Sequence, residues 1–293
     1  MGKAPSKDTF WTSDNGAQAT TRGGCAKTGC PPDHSTPAAE LHTALALLST
    51  GPVGFSDAPN ETDATLILRT CDAGGNLLQP SRPITAVDST HAPAGAPQGY
   101  ALATHTAVAG RVAAWTVVGH QLAAPYGLKP LDLWPHPAAG GAVGVAEVRA
   151  LRACGAGGAG AACGVQRATV AADGVTPLFT LPAVPNGVDP FTPDVRVVAP
   201  LCASGGGAGV AFFGEHEKIA TVSTRRFPAL ACSDAGDVTF TAAGVEGEET
   251  AVAWAAWGAT GDATVATAPI SFAGRRSVAC AITASNPAQL SCA

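Results

Sequence analysis

Residues 100–120 read YALATHTAVAGRVAAWTVVGH, and here the chain changes character. The runs 100–107 and 111–120 are rich in β-branched and apolar side chains, with small turn-forming residues between them. The same pattern recurs at 145–152, 165–171, 195–201, 210–213, 219–224, 238–242, 250–257, 263–272 and 277–283, with Gly, Pro or Asp at short intervals. Short β-favouring runs punctuated in this way predict a mainly β protein. Residues 93–293 should form an antiparallel β-sandwich of at least about eight strands, with no helix longer than about two turns.

Composition points the same way. The 293 residues are 46% hydrophobic but only 13% charged, and 35 Gly with 23 Pro interrupt any long helix, which excludes a coiled coil or helical bundle. Aromatic residues make up 5%, so a core of small side chains and methyl contacts is expected. The formal charge of −5, with no basic block, excludes nucleic acid as a partner. The uncharged run 197–214 has nominally the length of a membrane span. Its middle, CASGGGAG, would leave backbone groups unsatisfied in hydrocarbon, so two strands around a glycine turn are expected and no membrane span. The first residues, MGKAPSKDTFWTSDNGAQ, lack the apolar segment of a signal peptide.

Nine cysteines and the sequon Asn60-Glu61-Thr62 point instead to a secretory history, with Asn60 the candidate glycosylation site. No C-x-x-C occurs and no His pair stands near the cysteines, so neither a metal site nor a cofactor is expected. Disulfides are the better reading. Short Gly-containing intervals pair Cys25 with Cys30 and Cys154 with Cys163. Cys280 has two candidate partners, Cys232 and Cys292, of which Cys292 is preferred. The odd count leaves at least one thiol free or paired outside the chain, and Cys71, Cys202 and Cys232 have no assigned pairing.

Residues 1–34 read as an irregular segment. Residues 35–92 form an α/β unit. Ser35 or Thr36, Pro37 and Glu40 start a helix, Leu41, Leu45 and Leu48 mark its apolar face, and Gly51-Pro52 stops it over residues 37–49. Val53 to Asp57 then read as a short buried strand. Residues 65–71 suit strand or helix by periodicity, but caps at 60–63 and the stop at Gly74-Gly75 favour a short helix.

Two motifs invite a chemical reading. Gly155-Ala156-Gly157-Gly158-Ala159-Gly160 fits the dinucleotide pattern G-x-G-x-x-G, but it is bracketed by Cys154 and Cys163 and followed by more strand-like sequence. A disulfide-closed hairpin tip within a Gly/Ala-rich insertion at 153–164 is expected. Gly214-Glu215-His216-Glu217-Lys218 gathers ionisable groups, yet on a strand Glu215 and Glu217 share a face while His216 points away, so a solvated strand end is expected. The acidic run 246–249 reads as an exposed turn. No hydrolase elbow, zinc-protease or phosphate-loop motif occurs.

Four segments follow one another in a familiar order: KDTFWT at 7–12, ALALLSTGPVGFSD at 44–57, LILRTCDAGGNLLQPSRPIT at 66–85, and VAPLCASGGGAGVAFFGEHEKIATVSTRRF at 198–227. They resemble the C-terminal part of glycoside-hydrolase-like proteins related to the raffinose synthase and alkaline α-galactosidase family. The resemblance implies that residues 35–92 are the last β/α part of a TIM barrel and that the two catalytic carboxylates belong to earlier barrel strands. No catalytic pair is identifiable in this chain. Asp57, at the rim of the last strand, and its neighbour Ser56 become candidates for shaping a sugar pocket, with Trp11 a candidate stacking surface. A turn-capping role for Ser56 and Asp57 weighs equally. The expectation is the C-terminal portion of a secreted carbohydrate-active protein, inert alone, with carbohydrate and an upstream barrel of the same gene product as partners. The alternative is an extracellular structural or carbohydrate-contacting β-sandwich module.

Overall fold

The computed structural model describes residues 9–12, 39–57, 59–90, 99–154, 159–183, 192–204, 208–258 and 261–293. Three α-helices occur among them: α1 (Ala39–Leu48), α2 (Ala64–Leu68) and α3 (Val148–Ala153). The strands are β1 (Thr85–Ala86), β2 (Tyr100–Val108), β3 (Arg111–His120), β4 (Tyr126–Leu128), β5 (Ala142–Glu147), β6 (Val165–Thr169), β7 (Phe179–Leu181), β8 (Asp194–Ala203) and β9 (Gly209–Gly214). They continue with β10 (Ala229–Cys232), β11 (Val238–Ala243), β12 (Glu249–Trp257), β13 (Ala263–Ser271), β14 (Ser277–Thr283) and β15 (Asn286–Cys292). Every pairing between these strands is antiparallel.

The stretch 100–120 is a hairpin. Val108 pairs with Arg111, and both intervening residues have positive φ, Ala109 at 50° and Gly110 at 79°, the geometry whose twist matches the flanking strands. The strand that organises the rest is β8. Its residues 194–198 pair with β3, residues 196–200 with β5 on the other edge, and residues 201–203 with β9. Through β9 the chain reaches β12 and β13, while β10, β11, β14 and β15 form a separate sheet in that order.

Alternation on a strand sends neighbouring side chains to opposite faces, and β3 uses this to serve two cores. Val117 packs with Leu128, Leu133, Phe179 and Leu181 under the β4–β7 ribbon, whereas Val118 meets Leu41, Leu47 and Leu48 of α1. The separate sheet covers β9 and β12: Phe212 and Phe240 stack with centroids 4.5 Å apart, and Phe227 stands edge-on to both. β11 and β14 alternate buried and more accessible residues, as strands with one covered face do. Small residues allow the close approach: a Cβ on Gly144 would lie 2.6 Å from the Ala211 methyl and 2.9 Å from the Trp257 ring.

The α1 helix docks on this sheet. Leu41, Leu47 and Leu48 are buried against Val118, Ile219 and Ala220, each such burial contributing about 1.5–3 kcal/mol, while Leu45 remains partly accessible. The expected short helix is α2; the Asp63 carboxylate accepts from Leu66 N at 3.1 Å and caps its start.

Several expectations need correction. Val53 to Asp57 do not form a buried strand: the segment makes one parallel bridge, Phe10 to Phe55, and Phe55 is 44% exposed. The run 145–152 is not one strand. β5 ends at Glu147 and α3 follows, because Arg149 and Arg152 turn toward the carboxylate of Glu40. The run 219–224 is no strand either; it crosses the interior in bends, with Ile219 through Ser223 buried.

Three disulfides occur among the described residues. Cys154–Cys163 closes the β5–β6 connection with its Cα atoms 5.2 Å apart, and residues 155–158 of the tip lie outside the described residues. Cys280–Cys292 joins residues directly opposite on β14 and β15. Cys202–Cys232 was not anticipated; it ties β8 to β10 and so one sheet to the other. Cys71 is a buried free thiol. The Cys25–Cys30 pairing lies outside the described residues, as does most of 1–34. No described helix is long and apolar enough to cross a membrane.

Candidate functional site

The residues singled out for sugar contact lie together, but the polar groups of Ser56 and Asp57 are engaged with Phe10 and Thr12. Asp57 accepts from Thr12 N at 2.8 Å and from Thr12 Oγ1 at 2.6 Å, and Ser56 N donates to Phe10 O at 2.9 Å. Thr12 Oγ1 in turn accepts from Asp63 N at 2.8 Å. The carboxylate therefore splices residues 9–12 to the chain after α1. Trp11 is half-buried beside it. The most exposed aromatic among the described residues is Trp134, 64% exposed, with His136 edge-on at 5.4 Å and the exposed Leu131 nearby in the chain. Asn60 sits in an exposed turn with φ of 68°.

The Gly214–Lys218 motif is not a solvated strand end. Gly214 has φ of 80°, and a Cβ there would lie 2.2 Å from Thr221 O, so only glycine lets the chain turn inward at this point. Glu215 and His216 are buried by that turn, while Glu217 is exposed. Glu215 meets Arg226, itself 1% exposed, at 2.8 Å from Nε. The other side of the guanidinium faces Glu248, so the acidic run 246–249 is not wholly exposed either. Arg226 spends its donors on Glu215, Glu248 and the Ala243 carbonyl, the last at 2.8 Å. Thr250 Oγ1 donates to Glu215, and Ala73 N and Val245 N donate to Glu248.

Burial by itself would raise the Glu248 carboxyl, but Arg226 and the two backbone donors outweigh it and hold the group below the usual carboxylate range. Burial keeps the His216 imidazole below its ordinary value despite Glu217 and Glu215 nearby. Lys218 reaches the other way, donating to the Leu68 and Cys71 carbonyls at 2.8 and 2.7 Å, and Ile219 N donates to Arg69 O at 3.1 Å. The motif is thus a hub joining 66–76 to 214–227 and 243–250. Glu215, Arg226, Glu248 and Lys218 each have an opposite charge beside them, Lys218 lying 3.9 Å from Glu215, while Glu217 faces solvent.

A different balance holds where α1, α3 and the start of β8 meet. A cleft of about 190 Å³ is lined there by Arg69, Arg149, Arg152 and Arg196 together with Glu40, Glu147 and Asp194. Arg196 is settled: it grips Asp194 in two hydrogen bonds, at 2.6 and 2.9 Å, and lies 3.3 Å from Glu147. The other three arginines converge on one carboxylate. Glu40 receives Arg69 at 3.0 Å, Arg149 at 2.6 Å and Arg152 at 3.5 Å. Burial would raise the Glu40 carboxyl, yet Arg69 and Arg149 bring it below its ordinary value. Arg152 is held below its own ordinary value, first by burial and then by the like charge of Arg69.

The sequence pointed to none of these arginines, since Arg69 lies far in the chain from Arg149 and Arg152, and only Glu40 was noted, as a helix-start residue. The Val148–Ala153 helix is the local signal that would have found two of them, because i and i+3 positions share a face. No protein-family model and no curated protein sequence matches the chain.

Proposed function

We propose that this chain is the C-terminal part of a secreted carbohydrate-active protein of the raffinose synthase and alkaline α-galactosidase type. Residues 35–92 supply the last β/α element of its barrel, residues 93–293 form an accessory β-sandwich, and the chain is catalytically inert alone. The observation that carries the reading is the parallel bridge between Phe10 and Phe55 with α1 in the connection between them, the order of a parallel β/α crossover. Asp57 and Thr12 reinforce that bridge just beyond the bridged residues, which in a barrel would be the end where substrate groups gather. The segments that carry the resemblance also touch: Lys218 and Ile219 donate to the carbonyls of Leu68, Cys71 and Arg69. Three disulfides and the exposed Asn60 sequon support an oxidising, secretory compartment.

Sequencing the transcript upstream of Met1 tests this. The expected result is an open frame continuing into β/α units with two acidic strand ends; an in-frame stop just upstream would overturn it. The purified chain should not hydrolyse aryl α-galactosides. Turnover well above buffer that Asp57→Ala abolishes would refute the inert assignment.

The second reading, an extracellular β-sandwich module that is structural or contacts carbohydrate, is favoured by one observation: α1 already has its apolar face covered by Val118, Ile219 and Ala220 of the same chain. In that case Trp134 offers the stacking face, and Trp134→Ala should abolish any retention on an immobilised galactan.

A further inference from the structure

The arginine cleft holds more donors than it can satisfy. Three guanidiniums bring five N–H donors each, and one carboxylate offers about four lone-pair sites. Among the described residues Arg69, Arg149 and Arg152 have no ion-pair partner other than Glu40. The Nε groups of Arg69 and Arg152 are buried without an acceptor. Glu217 stands near Arg152 but is 60% exposed, so its charge is screened by water. The side chains of Arg69 and Arg152 are only 17% and 19% exposed, which gives them few routes to satisfaction by solvent, while Arg149 at 53% stands at the mouth. Planar guanidinium forks suit oxyanions, and a partly desolvated site strengthens the pairing.

We propose that this cleft binds a small oxyanion, carried by an acidic sugar or present as a free inorganic anion, with Arg69 and Arg152 as its inner ligands and Arg149 at the mouth. Glu40 is the built-in competitor: it holds the three arginines together while the site is empty and lowers the affinity for any second anion. The acidic-sugar source rests on the carbohydrate reading above; the oxyanion site itself does not.

Calorimetric titration of the intact chain with galacturonate, sodium sulfate and neutral galactose tests the idea. Saturable binding of galacturonate or sulfate is expected at ligand concentrations up to about 10 mM, with no heat from galactose. Arg152→Gln should weaken binding about tenfold, and Glu40→Gln should tighten it several-fold, because one removes a charge-assisted donor and the other the competing carboxylate. Opposite shifts distinguish a site from general unfolding, and circular dichroism of both variants checks that they fold. Galacturonate binding more tightly than sulfate identifies the sugar acid as the source, and the reverse order identifies the free anion while leaving the site intact and the carbohydrate reading without support from it. Absence of binding by either anion, or binding unchanged by both variants, overturns the proposal.

Discussion

Two charge clusters lie on neighbouring parts of this fold and have opposite stoichiometry. Around Arg226, one guanidinium stands between two carboxylates, all nearly inaccessible to water. Around Glu40, one carboxylate that is 30% exposed stands among three guanidiniums. In the first, backbone donors from Val245 and Ala73 and the Thr250 hydroxyl use up the surplus acceptors, and the charges become part of the architecture. In the second, nothing in the described chain uses up the surplus donors. Which charge is in the minority, and whether neutral groups make up the difference, separates a buried joint from a site open to a ligand.

Breaking the joint should have the largest effect. Arg226→Met leaves Glu248 buried without a counter-charge and Glu215 with Lys218 alone, 3.9 Å away, and urea unfolding should show a loss of about 3–5 kcal/mol. Replacing all three, with Glu215→Gln and Glu248→Gln beside Arg226→Met, should recover a good part of that loss, since the penalty comes from stranded charge more than from the lost pair. A triple variant as unstable as the single one would mean that the cluster acts chiefly through packing, for instance against Phe272, whose ring lies 5.5 Å from the guanidinium.

Glu248→Gln removes one side of the pair and should cost about 1–3 kcal/mol at neutral pH. The sign of its pH dependence follows from the lowered folded-state pKa. A carboxyl held below its ordinary value of 4.5 contributes stability that is present above that value and is lost as pH falls through the folded pKa. The wild type and Glu248→Gln should therefore converge in stability on acidification below about pH 4. Curves that stay parallel would show that the carboxylate does not gain from Arg226 in the folded state.

How much of this was legible in the sequence depends on the distance over which each feature is built. The hairpin at 100–120 is local, since both its runs and the Ala109-Gly110 turn lie within the quoted stretch, and the consecutive strands β12 and β13 are equally local, whereas β15 was not expected. The burial of Glu215 and Glu248 was not legible. Their partner Arg226 sits in a bend whose position depends on the inward turn at Gly214, and strand alternation assigned the motif to a solvated end. The run 145–152 failed for a related reason: Val145 and Val148 suit a strand, but the arginines after it are drawn to a glutamate more than a hundred residues earlier. Cys202–Cys232 was likewise invisible because it spans two sheets. The Asp57 segment was not legible: residues 1–34 read as an irregular segment, and nothing in the sequence brought Thr12 to Asp57.

The smallest effect should come from the cleft, and it sharpens the contrast most. Glu40→Gln removes the only ion-pair partner of Arg69, Arg149 and Arg152 among the described residues. Because the cluster is partly solvated, the loss in urea unfolding should be only about 0.3–1 kcal/mol at low salt. The folded-state pKa of Glu40 is lowered, so its contribution too is present above the ordinary carboxylate value and disappears as pH falls. Salt separates the two clusters. At about 1 M ionic strength the screening length falls to about 3 Å, and the mutual repulsion of the three arginines left by Glu40→Gln should be relieved. The Arg226→Met loss, arising where water and ions do not reach, should change little under the same conditions. Equal salt sensitivity of the two losses would remove the distinction between a closed joint and an open site.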